Sequence, residues 1–275
     1  MSTAVLTPHS IQQTLTQFDP KKPTLLIYSG PSGVGKGTIT DSLQGKRVKH
    51  SDYINPTPFD AFEKTVSMTT RAPRPGEVNG VDYDFVTKDQ FEIAIRHGDM
   101  IEFKRSGNGE NIYGTPKASV AKIMARHKLP VLEIETEGMK DIVKSLSNDY
   151  NIVSLFMLPP LTEQTEDLTR RIQIAMDAAQ TDIDTRSKIT PLLSVMSGDD
   201  VKTKRRLLSL YARLDTRGTD SSDDILLRMT KAVTELQDAP RYTFQVVSDR
   251  LEKSVPQVQA IFSGVYKQLI LRQKG

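Results

Sequence analysis

The chain has 275 residues, with 37 Lys and Arg against 34 Asp and Glu, giving a net charge of +3 and a pI near 8.9. That length allows one large domain or two small ones with a sizeable core, and the mildly basic balance suits phosphate handling but is too small to point to nucleic acid. With no cysteine, disulfides and thiolate metal sites are excluded; no apolar run approaches the ~18 residues of a membrane span, so a soluble, cytoplasmic protein without a membrane partner is expected.

The first segment, "MSTAVLTPHSIQQTLTQFDP", has no Lys or Arg and too short an apolar run for a secretory or transit signal. Residues 1–22 read as a loose tail. The apolar run "TLLIYS", 24–29, predicts a buried strand, and a helix follows from near Lys36. Residues 67–115, rich in Arg, Pro, Gly and Tyr, predict a small β-rich subdomain. "PKASVAKIMARH" and "GMKDIVKSL" read as helices, "PVLEIE" (130–135), "NIVSLFML" (151–158) and "YTFQVV" (242–247) as further buried strands. Strands alternating with helices predict an α/β fold with a parallel sheet. Between them, 161–236 is helical and charged, with "LTRRIQIAMDAA" and "VKTKRRLLSLYARL" as two amphipathic helices joined by a linker, "SKITPLLSVMSGDD".

Directly after the first strand comes "GPSGVGKGT", Gly30 to Thr38, close to the phosphate-cradling pattern GxxxxGK[ST] but with Gly37 at the hydroxyl position. Gly30, Gly33 and Gly35 let the backbone curl so that its N–H groups face an anion at a helix N-terminus. Lys36 would then reach the terminal phosphates, and Thr38 is the nearest hydroxyl, suited to an α-phosphate. Without a hydroxyl at 37, Mg²⁺ must rely on water, phosphate oxygens and a distant carboxylate. The alternative is an ordinary glycine-rich turn between strand and helix.

A second stretch, "SMTTRAPRPGEVNGVDYDFV", sets Arg71 and Arg74 on a proline-punctuated chain with Tyr83 beyond a turn. Two guanidinium groups beside phenolic donors suit a dianionic phosphate; a solvated basic loop is the plain alternative. Read alone, Glu102 in "MIEFK" is an ordinary strand carboxylate.

The order of "GPSGVGKGT", "TTRAPRPGEVNGVDYDFV", "IEF", "YGTPKASV" and "DTRGTDSSDDILLRM" resembles the guanylate kinase family over most of 24–160 and 210–262. The resemblance implies a P-loop nucleoside monophosphate kinase fold, a parallel sheet core flanked by helices. The core would span 23–66, 116–160 and 238–275, with a GMP-binding subdomain at 67–115 and a lid at 161–237. It implies ATP-dependent phosphorylation of GMP, and of dGMP, with Mg²⁺. ATP would lie on Gly30, Ser32, Gly33, Val34, Gly35, Lys36, Gly37 and Thr38, with its base near Ser248 and Asp249. Arg71, Arg74, Tyr83 and Tyr113 would hold the GMP phosphate, and Ser67, Glu102, Thr115 and Glu135 the guanine. A carboxylate matches the adjacent N1–H and N2–H donors of guanine, which adenine lacks.

Several positions depart from the family pattern. Glu133 and Glu135 stand where aspartates are usual; at i, i+2 in a strand they would share one face, each carboxylate displaced by about 1.5 Å. Glu133 would hold Mg²⁺ through water. Ser248 replaces an expected Asn. For the lid, Arg213, Arg217 and Arg228 fit the spacing around "RGT" and would stabilise the transferring phosphoryl group, with Ser221 and Asp224 as a capping box. "TEDLTRRI" offers a competing start at Arg170 or Arg171, but "RGT" follows only Arg213. About 165–209 then forms an insertion. Residues 161–210 hold eight acids and eight bases, so the "KTKRR" run reads as a solvated helix face. Leu168, Ile172, Met176 and Ala179 mark a helix packed on the lid, on a second copy or on another partner. A non-catalytic interaction module of the same fold is the alternative, disfavoured by Lys36 and the three lid arginines; a kinase acting on a different small molecule is disfavoured by the guanine-reading set.

Overall fold

The computed structural model describes residues 6–49, 51–105, 110–179, 183–218 and 220–273. In chain order the first elements are α1 (Pro8–Leu15), β1 (Thr24–Ser29), α2 (Lys36–Leu43), β2 (Phe62–Lys64), β3 (Met68–Thr69), β4 (Asp84–Phe85), α3 (Lys88–Arg96), β5 (Met100–Arg105) and β6 (Ile112–Pro116). There follow α4 (Lys117–Met124), β7 (Leu129–Glu133), α5 (Thr136–Leu146), β8 (Asn151–Leu158), α6 (Glu166–Ala179), α7 (Ile183–Ser197), α8 (Val201–Arg217), α9 (Ser222–Asp238), β9 (Phe244–Val247) and α10 (Leu251–Gln273). The chain forms two compact units. The two-sheet unit comprises Leu6–Tyr28, Phe59–Ser154 and the chain from Gln259; the loop unit comprises Ser29–Pro58 and Leu155–Val258.

In the two-sheet unit, β7 lies between β2 and β1 and pairs with both in parallel, Phe62 against Leu129 and Leu26 against Val131. Every residue of β1 is buried, as expected for a parallel strand covered on both faces. A second, mixed sheet has the order β4-β3-β6-β5, antiparallel except between β3 and β4. It falls within 67–116 and is joined by α3, a helix absent from the sequence reading although Thr87 and Gln90 form a reciprocal capping box.

The loose tail expected over 1–22 is corrected by α1. Thr7 and Ser10 cap it reciprocally, Pro8 starts it, and Ile11 and Leu15 are buried one turn apart. Gln268 Nε2 donates to the Leu15 carbonyl at 2.7 Å, tying α1 to α10.

In the loop unit, β8 and β9 pair in parallel, Leu155 against Phe244. Helices α6 to α9 pack on one another. The expected linker is corrected to a helix, α7. Pro191 lies inside it, where proline disfavours a helix interior, but Ile189, Leu192 and Met196 are buried at helical spacing. Leu168, Ile172, Met176 and Ala179 of α6 are buried within this chain, beside α8 and α9. The solvated reading of "KTKRR" also needs correction. Arg206 is 5% exposed and donates to the Pro159 carbonyl, while Arg205 donates to the Thr162 carbonyl and pairs with Glu163. No described helix is long and apolar enough to cross a membrane.

Candidate active site

The glycine-rich loop of the loop unit connects β1 to α2. Gly33 has φ +88°, and a Cβ there would lie 2.7 Å from Leu214 Cδ2 of α8, so both conformation and space require glycine. Gly35, in the left-handed region, is the N-cap of α2 and supplies no side-chain cap. With no side chain capping it, the start of α2 suits an anion. Val34, fully buried, anchors the loop. Lys36 folds back over it, Nζ donating to the carbonyls of Gly30 at 2.6 Å and Pro31 at 3.4 Å. Gly37 has no neighbour within 4 Å of a built Cβ; a hydroxyl side chain would fit, so packing does not explain the glycine. Thr38 is exposed.

Two of the three expected lid arginines meet this loop. Arg213 of α8 donates to the Val34 carbonyl at 3.1 Å, to the Ser248 carbonyl at 2.6 Å and to Ser248 Oγ at 3.4 Å. Burial pushes its guanidinium below the ordinary arginine value, with the charge of Asp249 acting against this and that of Arg217 adding to it. Arg228 of α9 bridges Ser32 Oγ at 3.0 Å and Asp220 at 2.9 Å. Arg217 ends α8 and is exposed. Gly218 closes that helix in the left-handed conformation; Thr219, the last residue of "RGT", lies outside the described residues. Ser221 caps α9, its Oγ accepting from the Asp224 N–H and donating to Asp224 Oδ2, so the cap is made but not in reciprocal form.

The two-sheet unit carries a second cluster. Arg71 NH2 donates to both carboxylate oxygens of Glu77, at 2.8 and 2.9 Å, and NH1 donates to the Ala72 carbonyl. Its guanidinium lies 5.5 Å from the Tyr83 ring centroid and 5.7 Å from that of Phe85. The rings of Tyr83 and Tyr113 meet edge to face at 6.2 Å. Glu77 also accepts from the Arg74 N–H at 2.7 Å. The bond to Arg71 holds the Glu77 carboxyl below its usual range and raises the guanidinium. Arg71, Tyr83 and Tyr113 are thus brought together, while the Arg74 side chain is exposed. Glu77 and Phe85 were missed from sequence; the available signal was an acid six residues after Arg71.

Beside this cluster, Thr115 Oγ1 donates to Glu102 Oε1 at 2.7 Å across β5 and β6. Burial raises the Glu102 carboxyl above the ordinary value of 4.5; the bond from Thr115 opposes this, and the charges of Asp141 and Glu135 add to it. Ser67 precedes β3, its carbonyl accepting from the Asp84 N–H. Glu135 is not in a strand. It is the N-cap of α5, after β7 has ended at Glu133, so the expected shared strand face of Glu133 and Glu135 is not formed. Glu133 pairs with Lys64 at 2.8 Å and Glu135 with Lys104 at 3.6 Å.

Among the described residues, no three acidic or histidine side chains gather as a cation cage. Glu133 is a single carboxylate paired with Lys64; Mg²⁺ commonly takes only one or two carboxylates and completes its shell with phosphate oxygens and water.

Comparison with known proteins follows the same lines. A family model described as guanylate kinase matches residues 22–194, ending within α7. The chain is 32% identical over 237 residues to a guanylate kinase of Lactobacillus johnsonii, covering 86% of each. It is 30% identical over 245 residues to one of Mycoplasmopsis synoviae, covering 88% of this chain and 94% of that one. In fold it is similar to the crystal structure of guanylate kinase from Anaplasma phagocytophilum, with TM-score 0.50, 19% identity, and coverage of 88% and 86%.

Proposed function

The chain belongs to the guanylate kinase family and is a nucleoside monophosphate kinase, and on that premise we propose that it transfers the γ-phosphoryl group of ATP to GMP or dGMP in the cytoplasm. A phosphate oxygen of the acceptor forms a bond to the γ-phosphorus as the bond to the β,γ-bridging oxygen breaks, giving GDP and ADP. No general base is required, because the acceptor phosphate is already anionic at neutral pH.

The observation that carries this reading is the convergence of Arg213 and Arg228 on the Lys36 loop. Three cations placed there can neutralise charge on the transferring group. They are also what an interaction module without turnover would not need. The loop N–H groups and Lys36 hold the donor phosphates, Ser248 and Asp249 lie at the donor base, and Arg217 supplies a further cation from the lid at 161–237. Mg²⁺, held by the nucleotide phosphates with Glu133 through water, would supply further neutralisation of the β- and γ-oxygens.

Residues 67–115 take the acceptor. Arg71, Arg74, Tyr83 and Tyr113 hold its phosphate, while Glu102, Thr115 and Ser67 read the guanine, with Glu135 nearby. A coupled assay with MgATP is expected to give turnover of GMP and dGMP and little with AMP, UMP or CMP. A folded protein that turns over neither GMP nor dGMP would refute the proposal.

Glu77 gives a prediction within this reading. It fixes the Arg71 guanidinium and the Arg74 backbone together, through charge-assisted bonds. Glu77→Gln is expected to raise KM for GMP about tenfold while changing kcat and KM for ATP much less, the pattern of lost binding rather than lost transition-state contact. Initial rates with each substrate varied in turn would check this.

A further inference from the structure

We propose that Arg171, on the inserted helix α6, is a positioning residue that sets the roll of α8 and so aims Arg213 and Arg217; this rests on the kinase reading above. Two residues of an α-helix separated by four positions lie about 40° apart, and those separated by two about 200°. On α8, Tyr211 and Asp215 therefore share one side, and Arg213 and Arg217 share the side nearly opposite. The structure engages both sides. Arg171 NH2 donates to Asp215 Oδ2, and its guanidinium lies 5.9 Å from the Tyr211 ring centroid. Opposite, Arg213 reaches the Val34 and Ser248 carbonyls.

The pairing answers a local problem in α8. Asp215 stands in the last turn, which ends at Arg217, and an anion there faces the negative end of the helix dipole. Arg171 supplies the compensating charge from another helix and ties that turn to α6. Arg171 NH1 also lies 4.0 Å from Asp167 of its own helix, whereas its neighbour Arg170 pairs with Asp167 at 3.1 Å and is largely exposed. A roll of about 10° about the helix axis would carry a guanidinium about 1 Å, taking its reach as about 7 Å, and a 1 Å misplacement can cost about 10²-fold in rate. α8 is also held by its packing against α6 and α9, so the loss expected from one partly exposed ion pair is smaller.

The test uses the full chain in the MgATP and GMP assay, with melting followed by circular dichroism. Arg171→Ala and Asp215→Asn are each expected to lower kcat about tenfold while leaving KM for GMP within about twofold. The double variant should fall no further than either single one, and the charge-swapped pair Arg171→Asp with Asp215→Arg should recover most of the rate. Wild-type turnover, together with its loss in Arg213→Ala, secures the kinase reading independently. With that in place, an Arg171→Ala enzyme at the wild-type rate, or a double variant slowed about a hundredfold, would overturn the positioning role. Should Arg171→Ala melt below the assay temperature, the charge-swapped pair decides alone: recovery supports the role, and a folded but slow swapped enzyme refutes it.

Discussion

Replacing Lys36 by Met is expected to abolish phosphoryl transfer, with kcat for GMP falling at least about 10³-fold. The lysine is the first residue of α2 and its ammonium bridges the Gly30 and Pro31 carbonyls. It is thus already bent over the loop where terminal phosphates would lie. Methionine keeps much of the stem and the helix-forming character but carries no charge to meet that developing on the transferring group. The loss should therefore appear in kcat more than in KM for GMP, whose proposed contacts lie in the two-sheet unit. Circular dichroism must show a folded variant, since the bonds to Gly30 and Pro31 also brace the loop. A folded Lys36→Met enzyme retaining a tenth of the wild-type rate would refute the role given to this residue.

Glu102→Gln is expected to move activity and stability in different directions. Glutamine keeps the shape and one acceptor but presents an amide donor where the guanine offers another donor. The value of kcat/KM for GMP should fall about 10²- to 10³-fold, mostly through KM. Stability follows from the raised carboxyl. The folded chain binds this proton more tightly than the unfolded chain does. Stability from this group is therefore full below the unfolded value of about 4.5 and declines as pH rises through the folded value. At neutral pH the folded protein holds a charge that burial disfavours, and glutamine removes it. The variant should melt at or above the wild-type temperature at pH 7 while losing GMP turnover. The same shift predicts that KM for GMP in the wild type rises on acidification, beginning above the ordinary glutamate range, and that the variant loses this dependence. An unchanged KM for GMP in Glu102→Gln would remove Glu102 from guanine recognition.

Where sequence reading succeeded, the signal was local. The buried run at 24–29, the glycines after it and Lys36 are consecutive, and each limits the backbone or the charge at its own position. The two helices bearing Arg213 and Arg228 were likewise legible from their apolar spacing and from the Ser221 cap. Reading failed where a local rule met a tertiary override. The run expected as a linker holds Pro191, a helix breaker by local rule, yet Ile189, Leu192 and Met196 found a buried face that holds α7 together. The polar composition of the first residues masked α1, whose two buried positions, Ile11 and Leu15, acquire meaning only beside α10. "PVLEIE" looked like one strand because its apolar residues alternate, but the chain leaves the sheet after Glu133 and Glu135 begins a helix.

By itself the sequence determined the family, and it picked out the glycine-rich loop, Arg71, Arg74 and Glu102 as the residues to which the proposed roles attach, because their chemistry is written in short runs or fixed spacings. Only the tertiary structure decided who their partners are. Glu77 for Arg71, Thr115 for Glu102, and the Val34 and Ser248 carbonyls for Arg213 are separated in sequence by 6, 13, 179 and 35 residues. A hydrogen bond depends on where two backbones are brought by packing, and no local propensity encodes that meeting. The segment 165–209 shows the division most plainly. Helices α6 and α8 could be read from their periodicity while α7 could not, and that Arg171 meets Asp215 on the back of the arginine-bearing helix depends on how α6 lies against α8.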